Sequence, residues 1–311
     1  MKFIKIKIAI LMIVLFVLSC LIGIIFKKNF TEKYIKIYDV SKDEIIEISV
    51  NDYLIGVVAA EMPSEFEIEA LKSQAVAART YLINKGKCQL YNGSDICTDS
   101  THCQAYKSYE NLKKQWGNDF RKNYKKIASA VYETKDEIMV YENQPISAVF
   151  HSTSSGRTEN SEDVWSKTVP YLRSVESSDD INSPKYLSEV KISIKEFKNK
   201  LSEKYKIDFS DTLIGDITRT EGGSVDYILI GNTSFRGTEI RSIFSLNSAN
   251  FTIDVKNDDV IFTVYGYGHG VGMSQYGANF MAKSGYNYVE ILKKYYSGID
   301  ITSTDYEYNV N

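Results

Sequence analysis

Residues 8–26, IAILMIVLFVLSCLIGIIF, carry no charged side chain over 19 positions. About 20 apolar residues in helical form cross the core of a bilayer, so this run reads as a transmembrane anchor. Lys2, Lys5 and Lys7 precede it. They favour a cytoplasmic N-terminus over residues 1–7 and an exported body, although Lys27 and Lys28 reduce the asymmetry. A cleaved signal peptide competes, but it has a shorter apolar core and ends at a small-x-small site, whereas Lys27-Lys28-Asn29-Phe30 follows here. A lipoprotein signal ending at Cys20 competes too, but Leu21, Ile22, Ile24 and Phe26 continue the apolar run. The expectation is an uncleaved single span, with residues 31–304 outside the cytoplasmic membrane, facing the wall.

The rest of the 311-residue chain has the composition of a packed protein, 43% hydrophobic and 25% charged, which excludes disordered and collagenous classes. Without the five lysines of residues 1–28, 32 basic side chains face 40 acidic ones. A body of that sign repels phosphate backbones, which argues against a nucleic-acid ligand. Four cysteines are too few for a disulfide scaffold.

Alternation of apolar and polar residues predicts a hairpin over 29–50. Asn51-Asp52 looks like a cap for a helix over 53–60, which Pro63 ends. Ser64 and Glu67 have capping-box spacing and open a second helix to about residue 85, with Phe66, Ala70, Ala77 and Tyr81 along one face. Beyond an irregular stretch at 86–118 come a helix over 120–134, a hairpin of 138–141 with 146–150, and a long polar loop over 151–169. A strand and helix (190–208), a hairpin (212–231), a helix (239–245) and another hairpin (251–264, turning at 257–259) follow. The glycine-dense GYGHGVGMSQYGA (266–278) opens a helix to Lys283, and a last helix over 288–296 stops at Gly298. Strands and helices do not alternate regularly, so the fold class is α+β, one composite globular domain.

Several residues carry possible chemistry. Glu61 lies behind Val57-Val58-Ala59-Ala60 and against Met62-Pro63. Apolar company raises a carboxyl pKa and suits a proton donor; the alternative is a surface Glu at a helix end. Arg79 sits among alanines that let another element approach, so it reaches either a partner or ligand, or solvent. Cys97, His102 and Cys103 form C-x4-H-C, with Cys88 nine residues upstream. Thiolates and imidazole suit zinc, while a Cys88–Cys97 disulfide is the alternative in an exported protein. His151-Ser152 lacks the elbow of a serine hydrolase, so the polar loop reads as ligand contacts. His269 is a ligand contact or a buried turn histidine, and its loop lacks the Lys-Ser/Thr of a P-loop.

Three blocks in this order, VNDYLIGVVAAEMPSEFEIEALKSQAVAARTY, AVFHSTSSGRTENSEDVW and GYGHGVGMSQYGANFMAKSGYNYVEILKKYYSGI, resemble the stage II sporulation protein D family over roughly residues 34–302. The resemblance implies a peptidoglycan lytic transglycosylase of engulfment, working beside a partner amidase that strips stem peptides and a polytopic membrane protein. The family's catalytic Glu falls on Glu61 and its A-A-R-T-Y arginine on Arg79. The cysteine–histidine cluster resembles a metal site of clostridial members, which implies zinc at Cys97, His102 and Cys103 and leaves Cys88 unassigned. Ser152, Thr153 and Gln275 are the expected glycan contacts, with Arg79 on the sugar or one layer behind Glu61. The same domain resembles amidase-enhancer modules, so a non-catalytic wall-binding role is the alternative.

Overall fold

The computed structural model describes residues 32–210 and 212–303, together with Met12. Apart from that residue, the expected anchor at 8–26 and the segment 1–7 lie outside the described residues. Among the described residues no helix is long and apolar enough to cross a membrane.

The chain enters through the hairpin of β1 (Tyr34–Asp39) and β2 (Glu44–Ser49), paired from Tyr34↔Ser49 to Asp39↔Glu44. Helix α1 (Val50–Glu61) follows at once. It begins earlier than Asn51-Asp52 suggested, because the Ser49 hydroxyl accepts the Asp52 N–H at 3.1 Å and caps the helix. It ends where expected, with Met62 extended before Pro63. Helix α2 (Ile68–Lys85) begins later than the Ser64–Glu67 spacing suggested, and the capping box does not form. Phe66 N–H closes a turn onto the Pro63 carbonyl at 3.1 Å, and Glu67 N–H donates to Asn279 Oδ1 at 2.8 Å. A tertiary partner thus replaces the local cap.

The irregular stretch holds β3 (Ile96–Cys97), parallel to β1, and α3 (Tyr109–Trp116), which the sequence reading did not separate from loop. Helix α4 (Phe120–Glu133) packs on α1 and α2. Strands β4 (Glu137–Tyr141) and β5 (Gln144–Pro145) form a shorter hairpin than expected. Glu142 and Asn143 both adopt positive φ, 50° and 62°, which makes a two-residue turn. Strand β6 (Phe150–His151) therefore leaves that hairpin and finds another partner later in the chain. A short helix α5 (Ser161–Trp165) interrupts the polar loop.

Next come β7 (Leu187–Ser193), α6 (Ile194–Ser202), β8 (Ile214–Arg219), β9 (Val225–Ile230), β10 (Thr233–Arg236), α7 (Gly237–Phe244), β11 (Phe251–Lys256) and β12 (Asp259–Tyr265). They form two three-stranded sheets, β10-β9-β8 and β11-β12-β7. The chain then returns through β13 (Met273–Ser274), the parallel partner of β6, into α8 (Gln275–Lys283), α9 (Tyr288–Tyr295) and β14 (Asp300–Ser303), which pairs with β4. Between β12 and β13, Gly266, Gly268, Gly270 and Gly272 all have positive φ. At Gly272 a Cβ would meet the Val149 carbonyl oxygen at 2.1 Å, so a side chain there would break the β6–β13 approach.

The α+β class is met: small sheets and helices are segregated rather than alternating. Two main apolar clusters form. The first joins α1, α2 and α4 with Met273, Ala278, Ile291 and Leu292 from the C-terminal part. The buried residues of the second all lie between Phe197 and Val264, with Val190, Ile192 and Ile194 packed against them.

Candidate active site

Glu61 closes α1, and its carboxylate is half-buried. Ala105 N–H donates to Oε1 at 3.0 Å, and Gln275 Nε2 donates to Oε2 at 3.4 Å. The same Gln275 nitrogen lies 3.4 Å from Gln74 Oε1. Burial pushes the Glu61 carboxyl above its ordinary value, and the bonds from Ala105 and Gln275 only partly offset this. The group therefore holds a proton to higher pH than a surface glutamate does.

Each neighbour is fixed from behind. Gln275 is the first residue of α8, and Ser274 caps that helix by accepting the Gly277 N–H at 3.1 Å. Ser274 Oγ in turn donates to Asp180 Oδ1 at 2.9 Å. Asp180 is fully buried, and its other oxygen accepts from Ser154 N–H, Ser154 Oγ and Ser177 Oγ. On the other side, Lys107 N–H donates to the Gly56 carbonyl of α1 at 3.2 Å. A Cβ at Gly56 would meet Tyr106 Cε2 at 2.4 Å and the Lys107 oxygen at 2.6 Å, so glycine here lets the 105–107 segment lie against α1. Sequence reasoning missed Gln74, Ala105 and Asp180. A backbone N–H carries no signal in a sequence, and Asp180 lies in a serine- and aspartate-rich stretch that reads as surface.

The expected ligand contacts separate. Gln275 is at Glu61, and Ser152 is next to it, since its carbonyl accepts the Tyr276 N–H at 3.0 Å. Thr153 is buried, hydrogen-bonded through Oγ1 to Ser183 and through its backbone to Tyr267. Arg79 is 2% exposed, and its guanidinium donates to the carbonyls of Val131, Thr134 and Glu137 at 3.1, 2.7 and 3.1 Å. It satisfies acceptors that the end of α4 leaves open, and so enclosed a cation has no face for a sugar. This corrects the sequence reading of Arg79 and Thr153 as ligand contacts: both are used inside the protein.

The polar loop is likewise spent internally. Ser155 Oγ accepts from Asn250 at 2.8 Å. Buried Glu159 accepts from Thr220 Oγ1 at 2.7 Å and from Ser224 N–H at 3.1 Å. His151 and His269 lie with ring centroids 5.7 Å apart. Burial lowers them to about 3 and about 4, so both are neutral. His269 Nδ1 accepts the Val271 N–H at 3.1 Å, as a turn histidine does.

Cys88, Cys97, His102 and Cys103 bring one ligand atom each to within 4.8 Å of one another. His102 Nδ1 lies 3.8, 3.4 and 3.3 Å from the three sulfurs in that order, and Cys97 Sγ lies 3.1 Å from Cys103 Sγ. These thiols are free, so the Cys88–Cys97 disulfide is not formed. Cys88, unassigned from the sequence, completes the set. Three thiols and an imidazole in tetrahedral reach are a donor set for zinc. Gln104 and Ala105 follow directly, so the cluster lies two residues from the N–H that holds Glu61.

Fold and site together define an α+β protein organised around one half-buried carboxyl beside a cysteine–histidine cluster. The family model of the stage II sporulation protein matches residues 38–141. Stage II sporulation protein D of Bacillus amyloliquefaciens is 43% identical over 275 residues, 87% of this chain and 79% of that protein. Its counterpart in Bacillus subtilis is 43% identical over 276 residues, with the same shares. A Bacillus subtilis protein named amidase enhancer is 32% identical over 302 residues, 80% of this chain and 40% of that protein. The chain belongs to the stage II sporulation protein D family, a family of sporulation proteins.

Proposed function

We propose that this protein is a peptidoglycan lytic transglycosylase that cuts peptide-stripped glycan strands at the MurNAc–GlcNAc bond during engulfment. It would be held at the membrane by residues 8–26 with its body facing the wall. The observation that carries this reading is the Glu61 carboxyl, half-buried and raised. Ordinary glycosidases need a second carboxyl to activate water or to attack the sugar. A lytic transglycosylase does not. Protonated Glu61 gives its proton to the glycosidic oxygen as the bond to C1 breaks. The resulting carboxylate takes the proton of the muramic C6 hydroxyl as its oxygen closes on C1, leaving a 1,6-anhydro end and a Glu61 again protonated. Ala105 N–H and the buried Gln275 hold the carboxylate between the two steps, and Ser152, whose backbone carbonyl accepts the Tyr276 N–H, is the residue left as a glycan contact.

Zinc would be held by Cys88, Cys97, His102 and Cys103. Four protein ligands make a closed site, so the ion would supply folding energy to the 88–105 segment. Its removal then lowers stability first and cleavage only through loss of the Ala105 contact.

The test is product analysis by mass spectrometry after incubating the full-length protein in detergent with peptide-free glycan strands. Anhydro-terminated fragments are expected, and Glu61→Gln should reduce their rate by about 10²–10⁴-fold, the usual contribution of a proton-transferring group. Equal yield from Glu61→Gln sinks the proposal. The relative named amidase enhancer favours a second role, in which this protein binds a wall amidase and speeds it. That role predicts faster amidase turnover with native protein and Glu61→Gln alike.

A further inference from the structure

A cleft of about 870 Å³ has Tyr106 and Lys107 in its walls, and no step proposed above uses it. Its walls include Asp39, Asp52, Tyr106, Lys107, Tyr109 and Tyr124. The Tyr109 ring is 50% exposed and is braced edge-on by Phe120 and Tyr124, at centroid distances of 4.9 and 5.3 Å. Tyr106 stacks on Tyr53 at 5.7 Å. The cleft therefore holds rigid aromatic faces with hydrogen-bonding tips, fixed by packing before any ligand arrives.

The charges narrow the ligand class. Lys42 and Lys107 face Asp39, Asp52 and Glu110 around the walls, a net of one negative charge; Lys42 lies 3.7 Å from Asp39, and Lys107 Nζ donates to Gln115 Oε1 at 2.7 Å. A nearly balanced lining is a poor trap for a cationic peptide or a polyanion. It suits a neutral polyhydroxylated chain with occasional single carboxylates. Ring faces take the apolar faces of sugars, aspartates take hydroxyls, and a lysine takes a lactyl carboxylate. The cleft also touches the candidate site. Gly56 lines it five residues before Glu61 on α1, about 7.5 Å along the axis at 1.5 Å per residue. The segment whose Ala105 N–H holds Glu61 continues straight into Tyr106 and Lys107 on the cleft wall.

We propose that this cleft is an accessory glycan-binding subsite that holds the strand away from the bond to be cut, with Tyr109 as its stacking platform. The proposal rests on the glycan-strand reading above. Because Tyr109 is braced by Phe120 and Tyr124 while Glu61 is held by Ala105 and Gln275, it should act on strand affinity and leave the chemical step alone.

The test measures binding calorimetrically, using full-length Glu61→Gln protein in detergent so that nothing is cleaved, and peptide-free MurNAc–GlcNAc strands as the probe. Adding Tyr109→Ala should weaken binding about five- to tenfold, the size of one lost aromatic contact. Tyr109→Phe, which keeps the ring, should restore it. Circular dichroism of the three proteins shows whether each is folded. Unchanged affinity in folded Tyr109→Ala, or no strand binding at all, overturns the proposal. The outcomes also separate the two readings. Binding that depends on Tyr109, with no anhydro product from native protein, leaves the subsite standing and removes the lyase. Anhydro product with binding indifferent to Tyr109 does the reverse.

Discussion

The two apolar clusters are assembled in opposite ways. The second has its buried residues within 197–264 and is made largely by hairpins that adjoin in sequence, β8 with β9, β9 with β10 and β11 with β12, with β7 added on β12 as a long-range strand pairing. The first is stitched from distant parts, with Asn279 holding the start of α2, β14 pairing with β4, and Gln275 reaching Glu61 across 214 residues. The candidate site belongs to the stitched half. A proton donor needs a partly dry, fixed environment, and that arises where separate segments converge rather than along one hairpin. Between the halves lie the polar loop and the glycine-rich return, whose Ser155 and Glu159 bond to residues of the second half.

Four substitutions or conditions test that contrast. Phe262→Ala removes a fully buried ring that packs on Phe197, Phe244 and Phe251. It should cost about 3–5 kcal/mol in denaturant unfolding. If the halves differ as described, hydrogen exchange speeds up in β11 and β12 while the Ala105 amide keeps its protection. Equal loosening of both halves would join them into one cooperative unit. Arg79→Met strips three carbonyl partners from the stitched half and should cost about 3 kcal/mol, because buried acceptors lose charged donors. Cleavage per folded molecule should stay constant. A fall in kcat with an unchanged unfolding midpoint would return Arg79 to the ligand.

Gly56→Ala is smaller, about 1–3 kcal/mol of overpacking. It should lift Tyr106 and Lys107 from α1 and weaken the Ala105–Glu61 bond, so that the pH at which cleavage is half-lost moves, with the solvent-exposed residues of the second half undisturbed by NMR. The last test is acid, whose effect is small per pH unit near neutrality and accumulates as the pH falls. His151 and His269 are lowered to about 3 and about 4 in the folded protein against 6.5 when unfolded. Below pH 6.5 the unfolded chain therefore binds more protons, and stability falls with pH down towards those values by at most about 1.4 kcal/mol per unit for each histidine. Glu61 contributes with the opposite sign: its raised value means stability that is present at low pH and lost as the pH climbs through it. Melting curves of His151→Gln should show a flatter acid limb, and those of Glu61→Gln should gain on the native protein as the pH rises.

Much of the second half was legible in the sequence. The hairpin of β11 and β12 and the helix α7 fall within a few residues of where periodicity and turn chemistry put them, and so, in the first half, does the helix opened by the glycine cluster. Glu61 was legible as a carboxyl among apolar neighbours. The errors cluster where a distant group outbid a local signal, as with Asn279 at the start of α2, or where polar residues were spent on the protein itself, as with Arg79, Thr153 and Glu159.

By itself the sequence determined the apolar run, the sign of the body's charge, the mixed class and the residue types able to move a proton or ligate a metal, since each depends on composition and near-neighbour spacing. Only tertiary structure decided that Cys88 completes the cluster, that Ala105 and Gln275 grip Glu61, and that Arg79 faces inward. Those facts depend on which segments meet in space, and burial and a directed hydrogen bond exist only once they have met.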